Sequence, residues 1–142
     1  MEHQTIRDLV KKATDYGLDF EHAFDEISDE EIAAAYNGIG PEWMPADLRA
    51  RLTADLSDLE PAALIHDIDY QYADGSPAAF HAANERLREN IRRTADKVAT
   101  PFFNPKWWKL LLAAALCFDA VERFGFPAYK NAVKNQNKRN IT

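Results

Sequence analysis

The stretch PAALIHDIDYQY, residues 61–72, decides the reading of this chain. Pro61 suits the first turn of a helix, where its missing N–H has no partner to lose, and Ala62 to Tyr72 continue that helix. On it, His66 and Tyr70 lie one turn apart and Asp67 is turned about 100° round the axis. The adjacent His and Asp side chains therefore point to different neighbours. They are either a coincidence of core and surface or two parts of one site.

Outward from this helix, Asp74-Gly75-Ser76-Pro77 stops it. From Ala78 to about Val98, Phe80, Leu87, Ile91 and Val98 keep helical phase while Arg86, Arg88, Arg92 and Arg93 take the remaining face. Asn84 falls on the apolar stripe although it is polar. Placed opposite an antiparallel helix carrying His66, its side-chain oxygen can accept the imidazole N–H and hold the tautomer. The plainer alternative is an asparagine bonded to backbone or water. Pro101 and Pro105 bracket the next break. Lys106 to Phe124 is almost wholly apolar over its middle and reads as the central buried helix, with Gly125 as its cap. The tail, 127–142, is basic and Asn-rich and is expected to fray.

On the N-terminal side, 1–27 reads as a helical segment. Ile6, Leu9, Val10, Ala13 and Tyr16 recur at helical spacing, and Gly17 can end the helix. Ser28-Asp29-Glu30-Glu31 has the form of a capping box opening a short helix through Ala35. Tyr36-Asn37-Gly38-Ile39-Gly40-Pro41 breaks any helix and reads as a compact loop. Residues 42–59 read as a loop with a helical turn around Ala46–Leu52. There is no repeat, no low-complexity tract and no strand signal.

At 142 residues and 46% hydrophobic content, the chain is expected to form one all-α domain over 1–142 with a real core. Cys117 is the single cysteine, so no intramolecular disulfide can form. With nothing basic beside it, it reads as a small core residue. The start of the sequence has neither the basic nor the apolar region of a secretory signal, and the longest apolar run, Leu110 to Phe118, is far short of a membrane span. A soluble protein, cytoplasmic as synthesised, is expected. Residues 1–74 sum to −13 and residues 75–142 to +7. That asymmetry fits self-complementary packing of the halves, or an anionic surface met by the C-terminal half. An acidic chain without a basic stripe gives nucleic acid no phosphate-neutralising face. Nothing points to an oligomeric state.

The loop at 36–40 bears on the His-Asp pair. Its glycines can aim carbonyl oxygens inward, and a hard cation such as Ca²⁺ takes oxygens from carbonyls and carboxylates. Tyr36-x-Gly38-x-Gly40, then His66-Asp67-x-x-Tyr70, then Ala83-Asn84-x-x-Leu87 resembles the phospholipase A2 family. It is most similar to the disulfide-free versions of viral capsid, bacterial and phage proteins, and the resemblance spans about residues 36–91. It implies a helical domain with the calcium loop and two antiparallel site helices within 36–98. Carbonyls of Tyr36, Gly38 and Gly40 and the carboxylate of Asp67 would bind Ca²⁺. His66 would activate water against the sn-2 ester of a glycerophospholipid at a membrane surface, and Tyr70 would support the hydrogen-bond network. The family has an aspartate where Asn84 stands. An amide holds the tautomer but does not stabilise the imidazolium, so reduced activity is expected.

Two other classes fit parts of the pattern. One is a metal-dependent phosphohydrolase recruiting His22, His66, Asp67 and Asp96 or Asp119. The other is a non-enzymatic descendant kept as a structural or binding module in a phage or secretion assembly, for which Asn84 argues. His3, His22 and His81 have no ligand spacing with one another and read as surface residues. Phe102, Phe103, Trp107 and Trp108, beside Lys106 and Lys109, read either as core packing or as an interfacial aromatic patch.

Overall fold

A computed structural model describes residues 3–22, 24–36, 46–51 and 56–141. The protein is all-helical and compact, with no strand among the described residues. Helix α1 (His3–Asp15) buries Ile6, Leu9 and Ala13, the stripe its periodicity predicts. It ends as that reading expects: Gly17 is left-handed at φ +67°, Leu18 N–H bonds to Ala13 C=O and Gly17 N–H to Thr14 C=O. That pair of bonds satisfies carbonyls the helix would otherwise leave open. A 3₁₀ turn at Phe24–Glu26 leads to α2 (Asp29–Ala35), where Ser28 Oγ accepts the Glu31 N–H at 3.2 Å. The turn expected near Ala46 is the short helix α3 (Ala46–Arg51).

Helix α4 (Leu56–Gln71) starts five residues before Pro61, so the proline lies inside it instead of opening it. A proline ring holds a helical φ and forfeits one backbone bond. Here the ring is fully buried, which offsets part of that loss. Pro61, Leu59, Ala62, Leu64, Ile65, Ile68 and Tyr70 are all buried. Burial this extensive is possible because α4 is packed by α1, α2, α5 and α7. It is this helix that occupies the centre, and not the one at 105–124. Helix α6 (Pro105–Phe124) buries Trp107, Leu110, Ala114, Cys117 and Val121 on one face but exposes Trp108, Leu112, Leu116 and Phe124.

Helix α5 (Pro77–Val98) is capped by Ser76, whose Oγ accepts the Ala79 N–H at 3.1 Å. Its buried stripe of Phe80, Ala83, Leu87, Ile91 and Ala95 also carries Asn84, Asn90 and Thr94. Each of those three is paired, as burial of polar groups requires. Asn90, for example, takes the Asp19 N–H at 2.7 Å and donates to Asp19 C=O at 2.8 Å, fastening the chain after α1 to α5. The C-terminal segment expected to fray is instead helix α7 (Phe126–Ile141). Its anchor is Tyr129, fully buried against Tyr70 and Phe80, with its hydroxyl donated to Ser76 C=O at 2.9 Å.

The charge asymmetry resolves into contacts between the halves: Arg86 pairs with Asp19 and Asp69, and Lys106 with Asp58. The aromatic group of 102–108 divides. Trp107 is buried with its indole N–H on Asp96, whereas Phe102, Phe103 and Trp108 are exposed. No helix among the described residues is long and apolar enough to cross a membrane.

Candidate active site

Helices α4 and α5 are joined by the five residues 72–76, so residues near the ends of that connection meet first and more distant ones in turn. Tyr70 packs on Phe80 and, one turn back, His66 meets Asn84. His66 is 2% exposed and Asn84 0%. The imidazole Nε2 lies 2.9 Å from Asn84 Oδ1, and the Tyr70 hydroxyl donates to the same oxygen at 2.6 Å. The other end of the amide faces α6, where Asn84 Nδ2 donates to Glu122 Oε1 at 3.4 Å. A carboxylate only accepts, so Glu122 sets which way the amide points. With Oδ1 turned to His66, the imidazole must donate from Nε2, which leaves the lone pair on Nδ1.

Burial lowers the His66 pKa to about 4, opposed by the bond to Asn84. The imidazole is therefore neutral at neutral pH, the form a base requires. Burial pushes the Tyr70 phenol upward, helped by the charge of Glu122, so Tyr70 remains a donor. Gly125, at the exit of α6, is needed here for space and not for a left-handed turn: a Cβ there would stand 3.0 Å from the Tyr70 hydroxyl and 2.6 Å from Val121 C=O.

Asp67 is partly exposed, and its charge adds to the upward push on the Tyr70 phenol. Tyr36 is buried at the C-terminal end of α2, and its phenol is pushed upward by burial and then by the charges of Glu60 and Asp67. Tyr36 and Asp67 are thus brought into one neighbourhood. Gly38 and Gly40 lie outside the described residues. Glu122 was not foreseen, nor was His81, whose Nδ1 lies 2.6 Å from Glu122 Oε2. No spacing in the sequence ties 122 to 84.

Comparison with protein-family models, with curated proteins and with solved structures finds no match. The chemistry has to be read from the residues themselves.

The ligands of a phosphohydrolase are not gathered. Asp96 accepts the Trp107 indole N–H, and Asp119 pairs with Arg123. Among the described residues, the one trio of His, Cys, Asp or Glu with ligand atoms within 4.8 Å of one another is Glu21, His22 and Asp69. Cys117 is buried, and burial pushes its thiol up to about 12, so it is no nucleophile.

His66 and Asp69 make stability respond to pH in opposite senses. Between about pH 4 and 6.5 the unfolded chain protonates His66 and the folded chain does not, so stability falls on acidification, by about 3 kcal/mol across that window. Burial raises the Asp69 pKa from 3.8 to about 7, against the pull of Arg86, so its contribution is present at low pH and lost as pH rises through that interval. The two slopes offset each other where they overlap. Urea unfolding in metal-free buffer is expected to show Asp69→Asn losing stability from pH 6.5 to 4.5 more steeply than the parent chain. Equal slopes would contradict the burial of Asp69 as an acid.

Proposed function

We propose that the protein is a calcium-dependent esterase of phospholipase A2 type, acting on the sn-2 ester of glycerophospholipids at a lipid surface. The observation that carries this reading is the single acceptor, Asn84 Oδ1, which receives both the His66 imidazole and the Tyr70 hydroxyl. The contacts of 66 with 84 and 70 with 80 fit two antiparallel helices holding the pair. The resemblance of 36–91 to phospholipases A2 gives His66 and Tyr70 the same roles, with Asn84 standing where that family has an aspartate.

In this mechanism His66 Nδ1 takes a proton from water as the water attacks the ester carbonyl, the tetrahedral adduct then breaks its bond to the glycerol oxygen, and His66 returns the proton to that oxygen; Asn84 keeps Nε2 protonated so that the lone pair is on Nδ1. Tyr70 shares Asn84 Oδ1 and limits the rotation of the amide. The ion's place is consistent with hard oxygen chemistry, because the Asp67 and Glu60 carboxylates lie close enough to Tyr36 to act on its phenol. Asp67, with backbone carbonyls of Tyr36, Gly38 and Gly40, would hold it. Bound there, Ca²⁺ supplies polarisation of the ester carbonyl and a charge opposite the developing oxyanion.

One carboxylate neutralises the ion in this arrangement, so Ca²⁺ is expected to bind with Kd on the order of 10⁻⁴–10⁻³ M. Calorimetry on the parent chain and on Asp67→Ala checks this. Absence of binding at about 10 mM Ca²⁺, or equal binding by Asp67→Ala, removes the site. Hydrolysis of phospholipid vesicles with Ca²⁺ or with chelator tests the activity. The second reading, a non-enzymatic module on the same scaffold, is favoured by the burial of His66 and by the amide at position 84. Calcium binding without any hydrolysis would select it.

A further inference from the structure

A second cluster lies beside α4, away from His66. The chain leaving α1 is held to α5 by the paired bonds between Asp19 and Asn90, which bring Glu21 and His22 against Asp69 of α4. An imidazole nitrogen of His22 and one carboxylate oxygen each from Glu21 and Asp69 lie within 4.8 Å of one another. They border a cavity of about 260 Å³, which Tyr72, Asp74 and Arg86 also line. The His22 ring lies 5.3 Å from that of Tyr72, tilted at 44°, a contact that restrains its orientation.

Two further observations point to a cation site. Asp69 is 6% exposed; its Oδ1 takes the Arg86 guanidinium at 3.1 Å, but its Oδ2 is buried with no hydrogen-bond partner. A buried carboxylate oxygen left without a partner is costly, and native structures rarely keep one without a reason. The charge also fails to balance. Arg86 bonds to Asp19 and Asp69 and lies 3.6 Å from Glu21, so one guanidinium faces three carboxylates.

We propose that Glu21, His22 and Asp69 form a binding site for a divalent transition-metal ion of zinc type, with water in the fourth position. One imidazole and two carboxylates match the borderline donor preference of Zn²⁺, whose bonds of about 2.0–2.2 Å draw ligand atoms closer than they stand here. Glu21 is exposed and held only by a long 3.6 Å contact with Arg86, and His22 is half-buried. A soft, thiolate-seeking ion finds no sulfur in this set, and the imidazole favours zinc over calcium. Bound metal would balance the excess charge, supply Asp69 Oδ2 with a partner and pin the segment after α1 to α4. This site shares no residue with the proposed calcium site.

The test is titration of the full metal-free chain with Zn²⁺ by calorimetry and with Co²⁺ by visible d–d absorption. One equivalent is expected to bind, with binding weakened about tenfold or more in His22→Gln and in Asp69→Asn. Asp67→Ala and His81→Gln are expected to bind as the parent does, which separates this site from the calcium site and from the exposed His81–Glu122 pair. His22→Gln alters a half-buried side chain, so it reports on ligation even if Asp69→Asn fails to fold, which circular dichroism shows. No binding by about 100 μM Zn²⁺, or undiminished binding in His22→Gln, overturns the proposal.

Discussion

Replacing His66 by alanine is expected to abolish hydrolysis of vesicle phospholipid while leaving Ca²⁺ affinity within a few-fold of the parent. A positioned general base contributes about 10²–10⁴ in rate, and Tyr70, Asn84 and Glu122 are not placed to take over the proton. Tyr70 is held as a phenol and Asn84 does not titrate, while Glu122 stands on the far side of the amide. The calcium ligands proposed for this chain do not include His66, so binding and chemistry should separate. Initial rates on vesicles, read beside calorimetric Ca²⁺ titration, test the separation. The alanine also leaves a small cavity in a fully buried position, so the melting temperature of the variant must stay above the assay temperature. Equal loss of turnover and metal binding would make His66 a ligand and favour the phosphohydrolase reading. Undiminished turnover would remove His66 from the chemistry altogether.

The second large effect is expected at Asn84. An amide oxygen receives the imidazole N–H but brings no negative charge, so burial dominates and His66 stands at about 4. Asn84→Asp alone places a new carboxylate near Glu122, whose Oε1 is 3.4 Å from the present amide nitrogen, and two such groups tend to share a proton. The gain in the single variant should therefore be muted. Combining it with Glu122→Gln restores a donor facing a carboxylate, with the polarity reversed. In that double variant the His66 pKa is expected to rise by about two units or more, and turnover near neutral pH by about tenfold or more. NMR titration of the imidazole and the pH dependence of kcat/KM measure the two effects. An unmoved His66 in the double variant would show that Asn84 does not control the base.

The helices themselves were readable from local chemistry. Ile6, Leu9 and Ala13 repeat at helical spacing and are buried, Gly17 ends α1, and Ser28 caps α2, because propensity, capping and periodicity act within a few residues. The meeting of His66 with Asn84 was also legible, since a short connection between two helices constrains which turns face each other, whereas the Tyr70 hydroxyl on the same oxygen was not. Where local signals mislead, packing is the reason. Pro61 reads as a helix start, but inside α4 its ring is tolerated because neighbouring helices bury it. The polar segment after Pro127 reads as a fraying tail, yet Tyr129 finds a place between Tyr70 and Phe80 and holds α7 in position. Which apolar helix lies at the centre depends on how many neighbours surround it, a property of the assembled fold and of no single window of sequence. The same holds for Glu122 behind Asn84 and for Glu21 and His22 beside Asp69. Each of these contacts joins residues 38 or more positions apart, and a distance of that kind is set only when the helices carrying them have packed.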